Sequence, residues 1–427
     1  MKRPPSFLAL VLASLVFPVI ASAADPLPRA KPEEAGMSSA RLARIGQVLN
    51  ADIERGRLPG MVVAIARKGK LVYYEAYGYS DRQAGTLMTK DSIFAIASMT
   101  KPMVGVGIMQ LLEDTRIQMS DPVSRWFPAL GKLLVAVLKT DASGQTVMES
   151  VPARRQITIQ DLLRHTSGLV YGGRGATPVH KLFPASSGSS AAEYNGKEFI
   201  DRLSKVTLLD QPGASWDYGF SIDVLGLVIE AETGRSLGSY LSERIWKPLG
   251  MTDTGFVVPP EKAQRYARAL PNDPDTGKPQ AVADRTRADK FECGGGCGVS
   301  TAGDYIRFGQ MLLNRGKLGA TRILAGSTVD YMTSNQLDPT TQNHIEAADP
   351  TKAGFGFGLT MAVRTSSGGP GIMGYPGDYT WSGASGTDFW VSPKEQLVVV
   401  FMSAAPGPIR WHYRRLMNAL VYQSIND

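Results

Sequence analysis

The sequence is short of several things, and each shortage narrows what the protein can be. Of its 427 residues only Cys293 and Cys297 are cysteine, and only His165, His180, His344 and His412 are histidine. A zinc site draws on about four such ligands. These histidines stand far apart with no ligand spacing, so no metal and no cofactor is expected. Beyond the N-terminus, no apolar run approaches the about 18 residues that a membrane helix needs. The net charge of +7 comes from scattered Lys and Arg, with no dense basic block among aromatics. That argues against nucleic acid as a partner. No internal repeat is visible. The Gly-x-Ser-x-Gly turn of one hydrolase group is also missing. Gly383-Ala384-Ser385-Gly386 comes near it with the wrong spacing.

What is present suits a large globular protein. Hydrophobic residues are 43% and charged residues 20%, enough apolar surface to offset the entropy of ordering. The length is about three times the ~150 residues of an average domain. The first residues read as a targeting segment. Lys2 and Arg3 precede an apolar run from Phe7 to Ile20, and Ala21-Ser22-Ala23 is a small-residue cleavage site. Residues 1–23 are therefore expected to be a signal peptide. The remaining protein would be exported, periplasmic or secreted, with no stable membrane insertion after cleavage. In an oxidising compartment Cys293 and Cys297 are candidates for a disulfide. The three glycines between them would let so small a ring close. Two free thiols in a glycine turn fit the sequence equally well.

Hydrophobic periodicity predicts a helix over 38–57, a strand over 61–66, a turn at Lys68-Gly69 and a return strand over 71–78. The C-terminal end mirrors this, with strands over 388–391 and 397–402 and a helix over 411–422. The expected class is α+β, an antiparallel sheet built from both termini and flanked by helices. Residues 24–124 and 296–427 would form this α/β lobe. Residues 125–295 would form an inserted, mostly helical lobe, because 157–164, 223–233 and 239–246 have helical patterning. Gly168 to Ala192 reads as a long binding loop or a mobile one.

One tetrapeptide carries chemistry. Ser98-Met99-Thr100-Lys101 stands just before an apolar run at helical spacing. Ser98 then sits at a helix start with Lys101 on the same face, because residues three apart are neighbours there. The positive end of the helix dipole disfavours a second positive charge. Burial acts in the same direction. A neutral amine so placed would take the proton of the serine hydroxyl.

Around this tetrapeptide the chain resembles the serine β-lactamase and penicillin-binding-protein superfamily, in its class C-like branch. Ser98-Met99-Thr100-Lys101 is similar to the family's Ser-x-x-Lys. His165-Thr166-Ser167-Gly168-Leu169, Gln211-Pro212-Gly213 to Tyr218, Pro248-Leu249-Gly250-Met251 and Ser300-Thr301-Ala302-Gly303-Asp304 resemble further branch segments, in the right order. Trp381-Ser382-Gly383-Ala384 stands where the family has Lys-Thr-Gly. The resemblance implies the β-lactamase-like (DD-peptidase) fold and a nucleophilic serine, Ser98. It implies Lys101 and Tyr218 as assistants, either of which would take the proton, and an oxyanion hole from the backbone N–H groups of Ser98 and Ala384.

Two departures shape the functional expectation. The second motif is usually Tyr-x-Asn but ends in Phe220, and Trp381 replaces the basic residue that attracts a substrate carboxylate. This pattern is similar to the family VIII carboxylesterases. The expected activity is therefore hydrolysis of short-chain carboxylic esters, with Trp381, Gly383 and Phe220 at the substrate. A β-lactamase, a cell-wall or D-amino-acid peptidase, or an inert binding homologue are the alternatives. With no charge for a carboxylate, neutral esters would outpace nitrocefin at least ~100-fold, a gap of about 2.7 kcal/mol; the alternative is that an Arg or Lys of the central loop replaces the missing charge. The oligomeric state is not legible.

Overall fold

A computed structural model describes residues 25–368 and 371–427. The leader expected at 1–23 lies outside the described residues. The chain begins with helix α1 (Ser39–Glu54), capped by the Ser38 hydroxyl, which accepts the Arg41 N–H at 3.2 Å. Strands β1 (Gly60–Arg67) and β2 (Lys70–Asp81) follow, joined at Lys68-Gly69, both with positive φ. After the short strand β3 (Thr86–Leu87) comes α2 (Thr100–Glu113), whose residues 100–111 are all buried. Helices α3 (Ser187–Glu193), α4 (Ser221–Thr233) and α5 (Ala302–Leu313) occupy the middle. Strands β4 (Phe355–Phe357), β5 (Ala362–Arg364), β6 (Tyr379–Ser382), β7 (Thr387–Ser392) and β8 (Leu397–Ser403) precede the last helix, α6 (Ile409–Tyr422).

The eight strands form one antiparallel sheet in the order β4-β5-β6-β7-β8-β1-β2-β3. The two ends of the chain meet at its centre, where β1 pairs with β8 from Met61↔Ser403 to Arg67↔Leu397. Strand alternation sends Met61, Val63 and Ile65 to one face, against Leu42, Leu49 and Met417 of α1 and α6. Val62 and Ala64 go to the other, against Met103 of α2 and Phe308 of α5. The sheet is thus covered on both faces, and the β-lactamase-like architecture expected from the motifs is present.

The segment 125–295 carries α3, α4 and shorter helical turns, and it also carries β-structure that the periodicity did not predict. Leu134–Thr140 and Thr146–Pro152 form a largely exposed antiparallel hairpin that also pairs with Thr207–Leu208. The glycine-rich stretch 168–192 is more ordered than its composition suggests. It contains two short 3-10 turns and the start of α3, which the Ser186 hydroxyl caps at Ser189. Among the described residues no helix is long and apolar enough to cross a membrane, and no cluster of three or more His, Cys, Asp or Glu is arranged to hold a metal.

Candidate active site

The segment that presents Ser98 is tied down before the helix begins. Phe94-Ala95 pairs with Val299-Ser300, and the Ile96 N–H donates to the Gly298 carbonyl at 3.0 Å. Ala97 has a φ of 44°, a left-handed conformation that costs a non-glycine residue on the order of 1–3 kcal/mol. Thr100 fixes that turn, its hydroxyl donating to the Ala97 carbonyl at 2.7 Å and accepting the Gly298 N–H at 2.9 Å. Ser98 lies in the 3-10 turn Ala97–Met99, immediately before α2.

Lys101, one turn further, is completely buried. Its amine donates to Ser98 Oγ at 3.3 Å, to the Tyr171 hydroxyl at 3.3 Å and to the Gly295 carbonyl. An ammonium has three donors, and these are its three acceptors. Only the Gly295 carbonyl is an obligate acceptor. Ser98 and Tyr171 each carry a hydroxyl hydrogen that can point the other way, toward an uncharged amine.

Behind Lys101 lies a buried network. The Tyr171 hydroxyl is 2.6 Å from Ser187 Oγ and 3.5 Å from Asp223 Oδ2. Ser187 donates to Asp223 Oδ2 at 2.8 Å, and the Gly295 N–H donates to Asp223 Oδ1 at 3.0 Å. Burial pushes the Asp223 carboxyl up to about 6, against the pull of Lys101 and its hydrogen bonds. Burial, reinforced by Asp223, also holds the Tyr171 phenol well above its ordinary range. Cys293 and Cys297 are joined as a disulfide, with Cα atoms 5.2 Å apart. The glycine triad they enclose supplies Gly295.

Tyr218 is nearly buried and turns its ring, not its hydroxyl, to the lysine, with Lys101 Nζ 4.5 Å from the ring centre. Its hydroxyl accepts the Trp381 indole N–H at 3.3 Å. Trp381 sits on β6 with its ring 5.4 Å from that of Tyr218. At Gly383 an added Cβ would stand 2.4 Å from the Ile96 carbonyl oxygen. The missing side chain is what lets the β6–β7 turn touch the Ser98 segment. Ala384 is exposed beside it. Among the described residues neither the Ser98 nor the Ala384 N–H donates to a protein acceptor, so both remain open to an oxyanion.

Phe220 does not reach the substrate side as expected. It is fully buried, packed on Tyr171 at 4.6 Å and Phe199 at 5.3 Å. Its apolar ring belongs to the core that supports Tyr171. His165, from the His165-Thr166-Ser167-Gly168-Leu169 segment, is not near Ser98 as an acid or base. It is instead an aromatic member of the core, 4.9 Å from the Tyr218 ring, with no partner for either nitrogen among the described residues.

A cavity of about 340 Å³ opens at Ser98, bounded by Tyr171, Ser187, Tyr218, Gly295 and Ala384. A smaller one shares Ser98, Tyr218 and Ala384 and runs to Trp381, Arg174 and Arg410. There Arg414 is paired with Asp349 at 2.8 Å and Asp388 at 3.0 Å. Burial pushes Asp349 up, but Arg414 and Lys352 outweigh it and hold this carboxyl below its ordinary range. Arg174 and Arg410 have no such partner. Arg174 donates to the Ala348 carbonyl at 3.0 Å and Arg410 to the Gly407 carbonyl, and among the described residues neither meets a carboxylate. Burial, with repulsion from Arg414 and Arg174, pushes Arg410 down to about 10. The expectation of no charge for a carboxylate beside Trp381 is therefore corrected in favour of its alternative, a basic residue from the central loop. Two guanidinium groups stand beside Trp381.

Reasoning from motifs missed Tyr171, Ser187, Asp223 and both arginines. Tyr171 lies two residues past Leu169 of a recognised segment, and Asp223 in the first turn of a predicted helix. Nothing in the sequence marks Ser187.

With this geometry in place, the comparisons with known proteins agree. A profile of the Beta-lactamase family matches residues 45–422, and the chain belongs to that family. It is 34% identical to Protein Rv1367c of Mycobacterium tuberculosis (strain ATCC 25618 / H37Rv) over 368 residues, 82% of this chain and 86% of the relative. It is 29% identical to Esterase EstB of Burkholderia gladioli over 379 residues, 84% of this chain and 90% of the relative. The solved structure of EstCE1, described as a hydrolase with promiscuous acyltransferase activity, superposes with a TM-score of 0.73 at 25% identity. That match covers 90% of this chain and 99% of the other. The protein is a hydrolase of the serine β-lactamase and penicillin-binding-protein superfamily.

Proposed function

We propose that the enzyme is a serine carboxylesterase working through an acyl-enzyme on Ser98. Ser98 Oγ attacks the ester carbonyl as its proton passes to the unit formed by Lys101 and Tyr218. The oxyanion is held by the N–H groups of Ser98 and Ala384. The C–O bond to the alcohol breaks, and the alcohol leaves with the proton. Water then attacks the acyl-enzyme by the same path and frees the acid and Ser98. The observation that carries this reading is the buried Lys101 amine 3.3 Å from Ser98 Oγ, next to two N–H groups without protein acceptors among the described residues. The esterase named among the relatives supports the substrate class.

A second reading, a β-lactamase or a D-amino-acid peptidase, is favoured by one observation. Arg174 and Arg410 line the small cavity, and such substrates carry a carboxylate. The charge argument for neutral esters thus loses its force. Esters keep a chemical advantage, because an alkoxide or phenoxide departs more readily than an amide nitrogen. The test is turnover of p-nitrophenyl acetate and butyrate, nitrocefin and D-alanyl peptides by the purified protein, with fluorophosphonate labelling of the wild type and Ser98→Ala. The expected outcome is fastest turnover of the esters and labelling that Ser98→Ala abolishes. Nitrocefin turnover equal to or above ester turnover makes the enzyme a β-lactamase. Labelling that persists without Ser98 removes the nucleophile assignment. Export is part of the same proposal, and a mature N-terminus at Ala24 in protein recovered from outside the cytoplasm is its check.

A further inference from the structure

The five residues Cys293 to Cys297 form a disulfide-closed ring around three glycines, and this ring touches both charged groups behind Ser98. The Gly295 carbonyl accepts from the Lys101 amine, and the N–H of the same residue donates to Asp223. The approach is close enough to exclude any side chain. A Cβ at Gly295 would lie 2.2 Å from Asp223 Oδ2, and one at Gly294 would lie 2.7 Å from the Ile222 carbonyl oxygen.

Glycine permits this contact and also works against it. A run of glycines has more backbone freedom than any other sequence of its length, and fixing each residue costs about 1–2 kcal/mol. An open glycine triad would hold a carbonyl loosely. One end of the ring is anchored next door, since the Gly298 N–H and carbonyl are bonded to Thr100 and Ile96. The cross-link carries that fixed position back to Cys293 and leaves Gly295 little room. Both sulfurs are buried, so the bond sits inside the site and not at its surface.

We propose that the Cys293–Cys297 ring is a positioning element for catalysis: it holds the Gly295 carbonyl that orients the Lys101 amine toward Ser98. The proposal rests on the reading of Lys101 as the assistant of Ser98. Opening the ring should therefore slow the chemical step more than it weakens substrate binding. An ångström-scale misplacement of a catalytic group costs up to about 10²-fold in rate.

The test compares wild type with Cys293→Ala/Cys297→Ala and with Cys293→Ser/Cys297→Ser, at a temperature well below the melting point of each. The expected result with p-nitrophenyl butyrate is kcat lowered roughly 10-fold or more, KM within about twofold and a displaced kcat/KM–pH profile. Fluorophosphonate labelling of Ser98 should slow in parallel. A purely structural cross-link would lower the melting temperature and leave kcat and the pH profile of the folded protein unchanged, which overturns the proposal. Should neither variant fold, wild type unfolded and then refolded in tris(2-carboxyethyl)phosphine, its two free thiols confirmed by mass after alkylation in denaturant, makes the same comparison. The phosphine reduces the disulfide to two thiols and becomes its oxide with oxygen from water. A crystal structure of the opened-ring protein decides independently of activity. Displacement of the Gly295 carbonyl from Lys101 supports the proposal, and an unchanged contact overturns it. Wild-type protein that neither turns over esters nor labels would defeat the esterase reading, while that crystallographic comparison would still settle the role of the ring.

Discussion

Ser98 has two kinds of surroundings, and they are built on opposite electrostatic plans. Behind it, Lys101 is enclosed by Tyr171, Ser187, Asp223 and Gly295, all buried and bonded to one another. Toward Trp381, Arg174 and Arg410 face a cavity in which, among the described residues, neither is ion-paired, the one carboxylate on its wall, Asp349, being paired with Arg414. The first arrangement is closed and internally compensated, as the machinery of a fixed reaction needs to be. The second has spare donors and spare charge, which suits selection among substrates. The reaction type is thus set on one side and the preference on the other. Substitutions on the two sides should fail in different ways.

The largest effects belong to the compensated side. Lys101→Ala should lower kcat by roughly 10²–10⁴, the range of a positioned acid–base group, with KM changed far less. Tyr218→Phe and Tyr171→Phe then divide the assistance between the two phenols. If Tyr218 relays the proton, its loss should approach that of Lys101→Ala, and the loss at Tyr171 should stay near tenfold. Steady-state kinetics on one ester would reverse the assignment if Tyr171→Phe were the more damaging.

Asp223 gives this side a pH signature. Burial raises its carboxyl to about 6, so it is ionised above that pH and neutral below. When neutral it accepts less well from Ser187 and Gly295, which loosens the network that places Lys101. The kcat profile should fall as pH drops through about 6. Asp223→Asn should be slower throughout and lack this limb. The stability sign is opposite. A raised carboxyl binds more protons folded than unfolded, so this group's contribution declines as pH rises from about 4 to about 6 and stays lost above. A limb that persists unchanged in the asparagine variant would have another owner.

The charged side should respond to the substrate and not to pH near neutrality. Mono-p-nitrophenyl glutarate and its methyl-capped ester differ only in a carboxylate, which an arginine pair holds by charge-assisted hydrogen bonds. The ratio of their kcat/KM should favour the acid by about tenfold, roughly 1.4 kcal/mol, and shrink as salt screens the charges. Arg174→Gln and Arg410→Gln should each reduce the ratio, and Arg410→Lys should keep most of it. A ratio near one in the wild type would mean that these guanidinium groups are spectators.

The same contrast explains what could be read from the sequence. The sheet was legible because β1 and β8 are nearly continuous apolar runs, each next to a turn and a second strand, β2 or β7. Ser98 and Lys101 were legible because a helix makes spacing equal to proximity. The hairpin at 134–152 escaped because its strands are largely exposed and lack a buried alternation. Phe220 was assigned to the substrate because it stands at the last position of the resembled Tyr-x-Asn motif, whereas here an apolar ring gains more by packing under Tyr171. Arg174 and Arg410 are 236 positions apart in the sequence, and only the tertiary fold brings the 3-10 turn Gly172–Arg174 and the start of α6 to one cavity. No local pattern records such a meeting, nor the contact of Gly295 with Lys101.

The smallest expected effect concerns His165, which lies beneath Tyr218 on the boundary between the two sides. Its ring is fully buried among Tyr218, Phe357 and Trp216, and among the described residues neither nitrogen has a partner. Burial, with a further push from Lys101, holds it well below 6.5, so it stays neutral in the folded protein. Unfolded, it titrates near ~6.5. The unfolded state therefore binds the extra proton below that pH, and stability falls as pH drops. For one such group the loss between pH 7.5 and 5.5 is about 1.4 kcal/mol. His165→Phe removes the titration. It also removes an unpaired buried N–H, worth about 1–3 kcal/mol, against about 1–3 kcal/mol for fitting a larger ring. Stability at pH 7.5 should then change little, while the acid-side decline becomes shallower by that 1.4 kcal/mol. Urea unfolding of both proteins at pH 7.5, 6.5 and 5.5 measures it directly. Parallel pH dependence would mean that His165 is protonated in the folded state and that the core around Tyr218 tolerates a charge.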